Sequence, residues 1–92
     1  VAERIRSLGG VAPGSLAEFL ALARLSEQKG ELASADLLVE RLLEDHEAVI
    51  RVLREDLRTA NDEFGDAGTS DFLTGLLEEH EKMAWMLRSL LA

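Results

Sequence analysis

The 92 residues carry 18 acidic against 10 basic side chains, a net charge of −8, and no cysteine. Disulfides, thiolate metal sites and cysteine nucleophiles are therefore excluded, and an acidic body that repels phosphate gives nucleic acid no electrostatic footing. Eighteen Leu against ten Val, Ile and Thr together, with a single Pro and no Tyr, favours helices over sheets, because straight-chain and γ-branched side chains lose little rotamer freedom in a helix.

The chain opens on VAERIRSLGG. Val1, Ile5 and Leu8 fall at i, i+4 and i+7, one face of a helix, and Gly9-Gly10 supplies a stop. No Ser, Thr, Asp or Asn stands before Val1 as a cap. The stretch therefore reads as the end of a longer helix, with further chain expected upstream. A turn follows, then a short helix whose N-cap is Ser15, with Glu18 completing a capping box. Leu16, Phe19, Leu20, Leu22, Ala23 and Leu25 leave this helix apolar over most of its circumference. A short helix of that kind is expected to be buried on more than one side, at a subunit interface.

A polar linker, SEQKGELAS, ends at Ser34, a second N-cap. The spacing predicts a long helix over 35–62, with Leu38, Leu42, Val49, Leu53, Leu57 and Ala60 recurring at threes and fours. Charged residues fill its other face, Glu47 and Arg51 forming an i, i+4 pair. EFGDAGTS breaks the chain. The last helix is expected to start near Thr69 or Ser70, with Asp71 in its first turn, where a carboxylate complements the helix dipole. Two long helices joined by a short turn should pack antiparallel. LLEDHEAVIRVLR (42–54) and LLEEHEKMAWMLR (76–88) are identical at seven of thirteen positions, at an offset of 34. A tetratricopeptide array needs two helices within each period, whereas each period here holds one; the echo implies that both helices offer similar faces to a shared core.

His46 and His80 sit inside this echo, but the i, i+3 Glu-x-x-His spacing of ferritin-like di-iron sites is absent. Leu43 and Leu77 occupy the positions three residues earlier, and Glu44 and Glu78 point elsewhere. The spacing of zinc proteases is also missing. Both histidines line up with the apolar stripes (Leu42 and Val49; Leu76, Met83 and Leu87) and are expected to be satisfied core or interface residues. Trp85, Met83 and Met86 lie on or beside the same stripe and are expected to pack in the core or at an interface. No nucleophile elbow and no glycine-rich phosphate loop is present. The carboxylates Asp62, Glu63, Asp66 and Asp71 cluster at the turn. They read as a solvated helix cap or, if three chains met there, as the rim of a pore attracting hard cations. No apolar run reaches the roughly 20 residues of a membrane span, and no signal peptide is visible, so the expected location is the cytoplasm.

AERIRSLGG, GSLAEFLALARL, DHEAVIRVLR and DFLTGLLEEHEKMAWMLR resemble, in order and spacing, consecutive parts of a Dps protein, the miniferritin family named for DNA protection during starvation. The resemblance implies an all-α, ferritin-like four-helix bundle. Residues 1–92 would be the C-terminal portion of one such domain: the last turns of helix B, the short BC helix, and helices C and D, with helix A and most of helix B missing upstream. It also implies a hollow homo-oligomer, a dodecamer, that oxidises iron(II), commonly with hydrogen peroxide, stores the iron(III) mineral and so protects DNA. The family's ferroxidase ligands are two His of helix A with an Asp and a Glu of helix B from the twofold mate. A-E-R-I matches Glu3 to that Glu, as catalytic residue and metal ligand. The acidic threefold pore that admits iron matches Asp71 best, with Asp66 and Glu63 as further contributors.

Because Glu3 would stand alone among those ligands, the 92 residues by themselves are expected to lack measurable ferroxidase activity. Their open apolar stripes are expected to drive association into a dimer or larger assembly, helices C and D of two chains completing a bundle. The alternative expectation is a helical self-association module without metal chemistry. DNA binding and nucleoid association in this family often depend on a basic N-terminal tail, and residues 1–92 offer no such feature.

Overall fold

The computed structural model describes residues 1–30 and 33–92; the linker positions Glu31 and Leu32 lie outside the described residues. Four helices occur among those described: α1 (Ala2–Ser7), α2 (Leu16–Leu22), α3 (Ala35–Asp62) and α4 (Ala67–Leu91).

Glycine ends α1. Gly9 adopts φ 88°, a left-handed conformation that costs glycine little. The N–H groups of Gly10 and Gly9 then donate back to the carbonyls of Ile5 (2.9 Å) and Arg6 (3.0 Å), which is a Schellman closure. At α2, Ser15 accepts from the Glu18 N–H at 3.1 Å and its hydroxyl donates to the Glu18 carboxylate at 2.8 Å. The two residues of the expected capping box meet, with the hydroxyl rather than the Ser15 N–H engaging the carboxylate. Within this single chain α2 buries nothing: Leu16 is 87% and Leu20 72% exposed.

Ser34 caps α3 by accepting from the Leu37 N–H at 3.1 Å, and α3 spans the expected 35–62. The following turn differs from expectation. Gly65 takes φ 59°, and the Asp66 N–H reaches back to the Ala60 carbonyl at 2.8 Å. This places the Asp66 side chain where it accepts from the Thr69 N–H at 3.0 Å. Asp66 is thus the N-cap, and α4 begins at Ala67, not at Thr69 or Ser70. A carboxylate aimed at the free N–H groups outcompetes the two hydroxyl residues further on. Consequently Asp71 lies beyond the first turn, which holds no acid.

α3 and α4 pack antiparallel and carry the buried apolar residues of the described chain: Ile50, Leu53, Ala60 and Ala84, the last fully buried. A small residue at the crossing lets the helices approach closely. Trp85 is 60% exposed and Met86 47%, so the expected packing of these large side chains does not occur within the chain. The ion pairs Glu47–Arg88 (3.3 Å) and Arg54–Glu81 (3.1 Å) cross the same seam. Under the offset of 34, residue 47 corresponds to 81 and residue 54 to 88. Exchanging the helices therefore converts each ion pair into the other, and the echo in the sequence is a local twofold relation in the structure.

The radius of gyration is 15.6 Å, against about 12 Å for a compact domain of this length. The hairpin is extended, with one apolar side uncovered.

Candidate functional site

Arg4, which the sequence reading passed over, ties α1 to the start of α4. Its guanidinium donates to the Thr69 hydroxyl through Nε (3.2 Å) and Nη2 (3.1 Å), and to Asp66 Oδ1 at 3.3 Å. Thr69 passes the interaction on, its hydroxyl donating to Asp66 Oδ2. Arg4 and Asp66 are both about one-third exposed. The Thr69 hydroxyl, the Thr69 N–H and the Arg4 charge all favour the carboxylate form of Asp66, and together hold it below the ordinary range despite partial desolvation. Gly68 makes room: a Cβ there would lie 2.9 Å from Arg4 Nη2. That glycine in a helix's first turn, between a cap and a hydroxyl, is the sequence signal for the close approach.

The clasp positions Glu3. It lies on α1 with Val1, Ala2, Arg4 and Ser7 along an open cleft of about 600 Å³, closed on the far side by Phe72 of α4. The carboxylate is exposed, and no second acid or imidazole lines this cleft. The three acids expected at a pore flank the α3–α4 turn in different ways. Glu63 is exposed at the C-cap of α3 and Asp71 is exposed on α4, whereas Asp66 is occupied by Arg4 and Thr69. Among the described residues no three His, Asp or Glu side chains gather as a metal site. Within one chain the turn therefore provides carboxylates but no coordination shell.

His46 and His80 meet across the hairpin, a contact that their stripe positions allow but do not specify. Their Nδ1 atoms are 2.9 Å apart and both rings are half-buried. They satisfy one another, in keeping with histidines of the shared core.

A family model described as "Ferritin-like domain" matches residues 1–92. The chain belongs to the ferritin-like family. It is 55% identical over 89 residues to an uncharacterized low temperature-induced protein of Nostoc, covering 97% of this chain and 50% of the relative. It is 36% identical over 92 residues to DNA protection during starvation protein 2 of Bacillus anthracis, covering 99% of this chain and 61% of the relative. The structure superposes on the X-ray structure of Dps from Thermosynechococcus elongatus with a TM-score of 0.91 at 33% identity, covering 99% of this chain and 57% of that one. Dps from Staphylococcus aureus gives a TM-score of 0.91 at 31% identity. The resemblance to Dps proteins thus holds in sequence and in fold, and the helices are those of the ferritin-like class. The chain spans about half the length of the curated relatives it matches in Nostoc and Anabaena variabilis. Among the described residues no helix is long and apolar enough to cross a membrane.

Proposed function

We propose that these residues are the C-terminal portion of a Dps-type miniferritin that oxidises iron(II) and stores the iron(III) product, protecting DNA from iron-driven oxidation. Iron is substrate and cargo. The observation that carries this reading is the match to Dps structures over 99% of the chain at a TM-score of 0.91. In it, Glu3 is one carboxylate ligand of a ferroxidase site completed by groups outside residues 1–92. Asp71 and Glu63 contribute acidic oxygens to a pore at the α3–α4 turn. The occupied state of Asp66 makes it the residue that shapes this turn, a weaker candidate for holding a passing cation. The α2 helix is the interface element of a homo-oligomer, a dodecamer in the Dps manner, located in the cytoplasm. DNA contact in such an assembly would come from elsewhere in the protein, since residues 1–92 carry a net charge of −8.

The test is a hybrid in which this chain follows the N-terminal portion of the Bacillus anthracis relative. The hybrid should oxidise iron(II) with hydrogen peroxide and retain iron through gel filtration, and Glu3→Gln should slow oxidation by about tenfold or more. A folded hybrid that does not oxidise iron overturns the functional reading; a rate indifferent to Glu3→Gln overturns the assignment of Glu3.

A second reading, a helical self-association module without metal chemistry, draws on the absence of any buried residue in α1 and α2. It has two hairpins completing a four-helix bundle, so light scattering of the 92 residues should show a dimer or larger species.

A further inference from the structure

The two histidines meet in a geometry that distinguishes a shared proton from a shared metal. Their Nδ1 atoms are 2.9 Å apart, while the ring centroids are 5.1 Å apart and the planes tilted by 48°. The centroid separation exceeds the nitrogen separation by almost two ring radii. The rings therefore meet nearly head-on, each Nδ1 aimed along the line to the other. Two imidazoles chelating one ion at about 2.0–2.1 Å each would aim at a common point off that line, drawing the centroids closer. No carboxylate among the described residues joins the pair to complete a metal site.

We propose that His46 and His80 form a proton-operated latch of the α3–α4 hairpin, closed by one hydrogen on the Nδ1···Nδ1 line and opened when both rings are protonated. A neutral imidazole has one N–H and one acceptor nitrogen. The neutral pair is satisfied when one ring carries its hydrogen on Nδ1 and the other on Nε2. A first added proton enters at the free Nε2 of the donor ring and makes the bond charge-assisted, hence stronger. A second has only the acceptor Nδ1 left. That leaves two N–H donors, each on a cation, facing one another at hydrogen-bond distance, and the contact must break.

Among the described residues neither ring has a carboxylate hydrogen-bonded to it that would take up the second charge. The adjoining cleft of about 200 Å³ is lined by Leu42, Met83, Met86, Leu87 and Leu90 with His46. Glu47 and Glu81, next to the rings in sequence, are engaged by Arg88 and Arg54. Asp45 and Glu79, on the other side of each ring in sequence, make no hydrogen bond to either imidazole. From the preceding helices, Arg4 is held at Asp66 and Arg24 at Asp56.

The experiment measures urea unfolding of the full chain between pH 7.5 and 5.0 at fixed chain concentration, for wild type, His46→Gln and His80→Gln. Unfolded imidazoles titrate near about 6.5. A fold whose latch holds one proton on two rings is disfavoured against the unfolded chain as pH falls, so stability should fall with pH. The folding equilibrium constant should drop by up to about tenfold per pH unit. Either Gln variant removes one of the two rings and should flatten the profile; equal steepness in all three overturns the latch. Imidazole ¹⁵N spectra of the wild type at pH 7.5 decide independently of whether the variants fold. One ring as the Nδ1–H tautomer and the other as Nε2–H, with a proton correlated to both Nδ1 nuclei, supports the proposal. Two Nε2–H rings overturn it.

Discussion

The α3–α4 hairpin and the α1–α2 segment are built from similarly apolar sequence, yet only the hairpin buries any of it. Across the hairpin seam run a fully buried Ala84, the nearly buried Ile50 and Leu53, two ion pairs and the histidine pair. In α1 and α2 no residue is buried, and the two helices are held to the rest by Arg4 on Asp66 and Thr69 and by Arg24 on Asp56. The contrast separates two meanings of an apolar stripe. In the hairpin it is matched within the chain. In α2 it is exposed on nearly all sides, and an apolar surface of that kind marks a contact with something else.

The comparison is broken most directly by truncating one residue on each side. Ile50→Ala should cost about 3 kcal/mol, the usual loss for a buried aliphatic side chain. Leu16→Ala should change the stability of the isolated chain by no more than about 0.5 kcal/mol. Urea midpoints at a concentration where the chain does not associate decide it, and similar losses would mean that α2 is covered after all.

The turn joining the two regions gives a smaller effect with a sign. Asp66 is held below the ordinary carboxylate range, so its contribution is complete above about pH 4, the unfolded value, and fades as pH falls through the lower folded value. Asp66→Asn keeps an N-cap acceptor but removes the charge facing Arg4 and the helix N-terminus, and should lower the melting temperature by about 2–4 °C at pH 7. The two proteins should converge near pH 2, and a gap that stays constant down to pH 2 would remove the carboxylate charge from the account. The exposed seam pair sharpens the comparison least: Glu81→Gln should cost about 0.5 kcal/mol or less and less still in high salt, seen as a small midpoint shift that 1 M NaCl erases.

These outcomes track what the sequence made legible. The bounds of α3 followed from Ser34 and an unbroken 3.6-residue pattern, and the half-buried places of His46 and His80 followed from their stripe positions, but their direct contact did not, because antiparallel helices bring like positions together only near the local twofold axis. Ile50 escaped because the stripe was traced through Val49, one position round the helix. Trp85 stays outside the core of the single chain because a close helix crossing selects a small residue, Ala84. The start of α4 was misplaced because Gly68, a poor helix former, follows Asp66 within the first turn, and because its competitors Thr69 and Ser70 are themselves good caps. For the site, A-E-R-I drew attention to Glu3, but nothing in the local pattern revealed Arg4, whose partners lie 62 and 65 residues away.

The exchange relation between the two seam ion pairs has a consequence for assembly. A contact in which residue 47 meets 88 while 81 meets 54 obeys the rule of an isologous interface, although both halves belong to one polypeptide. The charged rim of each helix therefore obeys one pairing rule, whereas the crossing does not, since α3 has Ile50 where α4 has Ala84. What commits α3 to its own α4 is the reversal at Gly65, and a change that straightened α3 into α4 would force the helices to pair between chains, as a swapped dimer that keeps every seam contact.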